Sequence, residues 1–264
     1  MQRFVDGELD PPTDPARMRE LWDHLDPDER VDLFRQDPMF GDRARLPVAL
    51  CDEYARDALA HWRELIPNDP MYRSIDEAIQ QHPNQPHRYL LGFDPDGRSI
   101  TSVGNPDTAS HTGVLVPGTF TDATKLVASP DHPGYMEVAH RFQDQATFEL
   151  DGEGSAAVVD WQNYHAPQSL VPGAMRHGFA EAGAPELRDF LDRLDHSSQL
   201  PDQHRTVIGH SYGAAVVGLA AQGATGLNAH ALATLGGAGM HARSVTELEP
   251  SWSGWRPRLG HLRC

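Results

Sequence analysis

One stretch constrains this chain more than any other. Arg205-Thr-Val-Ile-Gly209 is a β-branched run that leads straight into Gly209-His210-Ser211-Tyr212-Gly213, and Tyr212 to Gln222 is a run of small residues leading straight out. The middle fits G-x-S-x-G, and the flanks predict strand, sharp turn and helix, the setting in which a serine hydroxyl stands clear of the backbone. Side chains at Gly209 and Gly213 would block the helix from folding back onto the strand it left. Ala214, Ala215 and Gly218 extend that logic by keeping the helix thin where it packs on the sheet. Ser211 is therefore the candidate nucleophile, against the plainer reading of a structural glycine turn that happens to carry a serine.

A serine hydroxyl is a poor nucleophile at neutral pH, so it needs a base and also donors aimed at the developing oxyanion. The backbone N–H of Tyr212 is one candidate donor. The second is expected from the loop Val116-Pro-Gly-Thr-Phe120, through Thr119 or Phe120. Asp122 follows closely, either orienting that loop or capping a helix that starts near Ala123. His210 precedes the serine and should point away from the hydroxyl, as packing rather than as base.

The rest of the chain supplies a sheet for this turn. Tyr89 to Phe93 and Ser99 to Val103 read as a hairpin joined by Asp94-Pro-Asp-Gly97. Short apolar runs at Val114–Val116, Ala156–Asp160, Thr206–Ile208 and Ala231–Leu235 read as buried parallel strands. Pro185 to Leu194 places Leu187, Phe190, Leu191 and Leu194 on one helical face, with the proline in the first turn. This alternation predicts an α/β fold with a doubly wound, mostly parallel sheet. Ahead of it, residues 15 to 66 carry apolar stripes at helical spacing, so residues 1–88 are read as a helical segment for packing or as a lid. Residues 89–243 form the core and 244–264 an atypical tail.

Several functions are disfavoured. A net charge of −16 repels nucleic acid and anionic membrane alike. No run is long and apolar enough to span a bilayer. The N-terminus lacks the basic start and apolar run of a signal peptide, and Cys51 and Cys264 read as free thiols of a cytoplasmic protein. The 15 histidines include no H-E-x-x-H pair and accompany no cysteine cluster, so no metal is expected. Gly237-Ala-Gly-Met-His-Ala242 fits a dinucleotide fingerprint, but Ser251 to Cys264 contains no acid and offers no further strand, so no cofactor is expected.

Three stretches, Leu91-Gly-Phe-Asp-Pro-Asp-Gly97, Val114-Leu-Val-Pro-Gly-Thr119 and Thr206-Val-Ile-Gly-His-Ser-Tyr-Gly213, resemble a family of uncharacterised actinobacterial α/β-hydrolases. So do Trp22-Asp-His-Leu25, Leu46-Pro-Val48 and Asn163-Tyr-His-Ala-Pro167. The resemblance implies an α/β-hydrolase fold and a nucleophilic role for Ser211 but supplies no substrate; the chemistry of an activated serine leads us to expect a small-molecule ester or acyl substrate. The chain departs from the family at Phe120, where a small residue is usual, and after Leu235, where members continue to an acid and then a histidine. A triad in the order Ser, acid, His would have to use His261, with Glu247 or Glu249 behind it. The stretch up to Cys264 reads like a truncated or frame-shifted end, with a genuine short tail as the alternative. On that basis the final strands are expected to be missing and the hydrolase weak or inactive. The alternative is a degenerate hydrolase fold that binds without turnover.

Overall fold

The computed structural model describes residues 14–169, 178–222, 226–237 and 239–248. Among these residues six strands, β1 (Arg88–Phe93), β2 (Ser99–Val103), β3 (His111–Val116), β4 (Ala156–Gln162), β5 (His204–His210) and β6 (Ala231–Leu235), form one sheet in the order β1-β2-β4-β3-β5-β6. The first two pairings, β1 with β2 and β2 with β4, are antiparallel; β4, β3, β5 and β6 run parallel. The hairpin turns at Gly97, where φ is +91° and the N–H bonds the Asp94 carbonyl at 3.2 Å, a conformation glycine adopts without strain.

Among the described residues, eight α-helices cover the sheet: α1 (Pro15–His24), α2 (Pro27–Gln36), α3 (Phe40–Arg43), α4 (Val48–Leu65), α5 (Pro70–Ala78), α6 (Tyr135–Leu150), α7 (Gly178–Ser197) and α8 (Gly213–Ala221). Asp14, Asp26 and Asp69 cap α1, α2 and α5 through their carboxylates, each with a proline in the first turn. The hairpin, the four parallel strands and the final small-residue helix fall where the residue pattern puts them.

Three elements depart from it. Both α5 and α6 form where the periodicity gave no signal, and α7 starts at Gly178, so Pro185 lies inside the helix and not in its first turn. A proline there removes one hydrogen bond, a loss that packing can outweigh. The early turns of α7 bury Ala180, Gly183 and Ala184 against the sheet. A Cβ on Gly183 would stand 2.9 Å from that of Tyr164, so this end of the helix is held by tertiary contact.

Burial divides into two cores, one on each side of the sheet. The N-terminal helices and α6 pack with Leu90, Phe93, Val103 and Val158; α7 and α8 pack with Val114, Val159, Trp161 and Val207. Residues β1 to β6 alone would leave the first face open, and the aromatic cluster of Trp22, Phe34, Phe40 and Tyr54 closes it. Cys51 is buried in this layer, and burial pushes its thiol up to about 12, which makes it inert. No helix among the described residues is long and apolar enough to cross a membrane.

The helical layer is also tied to α7 by a buried ion pair, Arg193 with Asp42, the arginine stacked 4.8 Å over the Phe190 ring. Removing one partner of such a pair strands the other charge without water. Asp42→Ala should therefore cost about 3–5 kcal/mol in urea unfolding. Glu137→Ala, which breaks the exposed Arg141 pair on α6, should cost less than about 1 kcal/mol. Equal losses would show that the Arg193 pair is not the desolvated contact its burial implies.

Candidate active site

The turn between β5 and α8 is built from backbone that approaches backbone. Ser211 adopts φ +52°, left-handed space that costs a non-glycine residue about 1–3 kcal/mol. Its N–H donates to the Leu235 carbonyl at 2.9 Å, and its own carbonyl accepts from Ala214 N–H at 3.2 Å, so β6 and the first turn of α8 hold the conformation. A Cβ on Gly213 would lie 2.1 Å from the Val116 carbonyl oxygen, and one on Gly209 would lie 2.6 Å from the Ala214 Cα. Gly218 does something different from the expected thinning against the sheet. A Cβ there would strike the backbone of Met240, so it makes room for the segment after β6 to cross α8.

The loop after β3 meets this turn directly. A Cβ on Gly118 would stand 2.7 Å from Ser211 Cβ and 3.1 Å from its Oγ, so the loop and the hydroxyl share one crevice. Phe120 cannot supply the second oxyanion donor, because its N–H is already bonded to the Pro167 carbonyl at 2.9 Å. Its ring is instead exposed and its φ is +61°. Thr119 N–H has no acceptor among the described residues, which leaves it as the candidate donor of this loop. Tyr212 leads into α8, whose N-terminus lends partial positive charge to the same place. Asp122 caps a 3-10 turn, Ala123–Lys125, by accepting from Thr124 N–H at 2.9 Å, so capping is its role.

Among the described residues no imidazole is hydrogen-bonded to Ser211 Oγ. His261 and Glu249 lie outside the described residues. Glu247 accepts from Arg243 N–H at 2.9 Å within its own turn. His210 is exposed, so it does not pack as its position suggested. The fingerprint-like Gly237 to Ala242 leads into no α-helix among the described residues, only to a 3-10 turn at Val245–Glu247. No group of three His, Cys, Asp or Glu among them is placed to hold a metal ion.

A cleft of about 470 Å³ opens beside the loop, between Gly97 and Arg98 of the hairpin, Thr121, and Tyr164, His165 and Gln168 after β4, with Phe179 on its rim. Another, of about 410 Å³, lies by His204 and His230 at the opposite ends of the strands, roughly 20 Å along β5 from Ser211. Ligands of open α/β sheets sit at the carboxyl ends, which favours the first. Within the sheet, Asp160 of β4 is fully buried. Burial pushes its carboxyl up to about 7, although the Gln162 amide, 2.6 Å away, pulls the other way. Asp160 is the single charged residue in the apolar run of β4, and that is the one mark the sequence gives it.

Two consequences can be measured. Gly213→Ala forces a methyl onto the β3 carbonyl and should destabilise the fold by about 1–3 kcal/mol or more; a neutral effect would mean the backbones are not in contact. Asp160 holds its proton in the fold but loses it near pH 3.8 when unfolded, so its contribution to stability falls as pH rises from about 4 to 7. Asp160→Asn should therefore gain on wild type across that window, by on the order of a few kcal/mol in urea titrations at stepped pH. A gap that stays constant with pH would contradict the shift.

An alpha/beta hydrolase family model matches residues 94–256. An uncharacterized protein of Mycobacterium tuberculosis is 30% identical over 156 residues, 56% of this chain and 23% of that protein. Uncharacterized proteins of Mycobacterium bovis and Mycobacterium tuberculosis are 28% identical over 153 residues, 57% of this chain and 57% of theirs. The matched part is thus a quarter to just over half of the length of these relatives. No solved structure matches. With the family model covering more than half of its length and the sheet order of its six strands built around the β5–α8 turn, the chain belongs to the α/β-hydrolase family.

Proposed function

We propose that the protein is a serine hydrolase acting on an ester, or an amide, of a small or acyl-chain substrate, with Ser211 as nucleophile. The observation that carries this reading is the left-handed Ser211 between β5 and α8 with Gly118 against its hydroxyl. In the reaction, Ser211 Oγ bonds to the substrate carbonyl carbon while its proton passes to a base, and the carbonyl oxygen takes the negative charge. Thr119 N–H and the Tyr212 N–H at the head of α8 stabilise that charge. Collapse expels the alcohol or amine with the proton, and water then releases the acid and restores the serine. His261 is the candidate base, in the order Ser, acid, His.

Only an activated serine competes with water for a fluorophosphonate. The protein should label covalently at Ser211 and hydrolyse p-nitrophenyl acetate, and Ser211→Ala should abolish both. Running His261→Ala alongside separates a base supplied by this chain from one supplied elsewhere. Equal labelling of wild type and Ser211→Ala refutes the nucleophile. No labelling of either leaves the other reading, a hydrolase fold that binds its ligand without turnover.

A further inference from the structure

The loop that meets Ser211 is held by the side-chain hydroxyls of Tyr164, Thr121 and Tyr135. Tyr164, in the core under α7 and stacked on Trp161, donates its Oη proton to the Pro117 carbonyl at 2.6 Å. Thr121 Oγ1 donates to the Gly118 carbonyl at 2.8 Å. Tyr135, the first residue of α6 on the other side of the sheet, has its Oη 3.3 Å from Thr121 Oγ1. Since the Thr121 proton is committed to Gly118, Tyr135 is the donor of that bond, and the order runs Tyr135 to Thr121 to Gly118. The Phe120 N–H to Pro167 bond fixes the loop's outer end, and Gln168 Nε2 holds the Thr121 carbonyl at 3.3 Å.

Both tyrosines are nearly buried, at 7% exposure for Tyr135 and 5% for Tyr164, so phenylalanine would satisfy the packing at either place. The hydroxyls are what the loop requires. A carbonyl pinned on each side of the Gly118 residue leaves the peptide that follows, whose N–H belongs to Thr119, with little freedom to rotate. An oxyanion donor is useful only within about 2.7–3.1 Å of the developing charge, and a displacement of about 1 Å can cost about a hundredfold in rate.

We propose that Tyr135 and Tyr164 are positioning residues that clamp the Pro117–Thr121 loop from the two faces of the sheet and thereby set the Thr119 amide against Ser211. The inference rests on Ser211 being the nucleophile. Neither tyrosine touches the reacting atoms; both act through the loop.

The test uses the full chain and four variants, Tyr135→Phe, Tyr164→Phe, Thr121→Val and Thr121→Ser. It measures p-nitrophenyl acetate turnover, the rate of fluorophosphonate labelling and amide hydrogen exchange over residues 116–121. Each Tyr→Phe should lower kcat and the limiting labelling rate by about tenfold or more while KM changes less than about threefold, and should speed exchange in the loop. Thr121→Ser should recover most of what Thr121→Val loses, because only the hydroxyl is needed; this pair decides the matter if a tyrosine variant fails to fold. Wild-type labelling with unchanged rates in the variants overturns the clamp and leaves Ser211 as nucleophile. A fall in thermal stability with no loss of kcat also overturns it, by reducing the tyrosines to packing. Absence of labelling in wild type overturns both readings together.

Discussion

The contact on which this structure depends is the meeting of three backbones at the carboxyl end of the sheet. The Gly213 residue lies under the Val116 carbonyl, Gly209 under Ala214, and Gly118 against Ser211, each with no room for a methyl group. Bringing peptide units this close costs the flexibility of glycine in the unfolded chain. It leaves the first turn of α8, the end of β3 and the end of β5 as one unit. The strain at Ser211 persists because both sides of the turn are bonded outward, to Leu235 on β6 and to Ala214 in the helix. A loop that closes over a serine and a helix that points its N-terminus at it are thus consequences of the same packing.

Around that unit the sheet core buries several polar side chains. Ser99, Thr101, Asp160 and Gln162 sit on paired positions of β2 and β4, and each has a buried oxygen without a protein partner among the described residues. Such atoms are costly unless water reaches them. The raised carboxyl of Asp160 reduces the cost by keeping a proton, which is the usual response of an acid denied solvent. Between α3 and α7, burial likewise pushes the Asp42 carboxyl up, and the Arg193 guanidinium paired with it pulls the other way. The apolar content of the chain is therefore spent on two thin cores, and polar groups between them must be arranged individually.

Much of this was legible in the residues. The hairpin at Asp94 to Gly97, the four parallel strands and the small-residue helix from Gly213 each carry a local signature, and local signatures survive because turn chemistry and burial on both faces leave few alternatives. The α6 and α5 helices lacked such a signature. Tyr135 to Leu150 mixes charged, aromatic and amide residues with a weak apolar stripe, and its helicity is secured by Met136, Ala139 and Gln143 against the sheet. Pro185 misled for the opposite reason, since a residue that usually starts a helix sits within one whose preceding turns are held by Tyr164.

At the site the division is sharper. Sequence alone determined which serine stands on the turn, and which loop faces it, because a strand feeding G-x-S-x-G and a second strand ending in Pro-Gly-Thr are both written in consecutive residues. It could not show which of the Thr119 and Phe120 amides is left unbonded, since that depends on the Pro167 carbonyl 47 positions away, which takes the Phe120 amide. Nor could it single out Tyr135, Tyr164 or Asp160, each an ordinary residue of its own element. Their parts arise only when β4, α6 and the β3 loop are packed together. A hydrogen bond is decided within a few tenths of an ångström, and only the tertiary structure fixes distances between residues far apart in the chain.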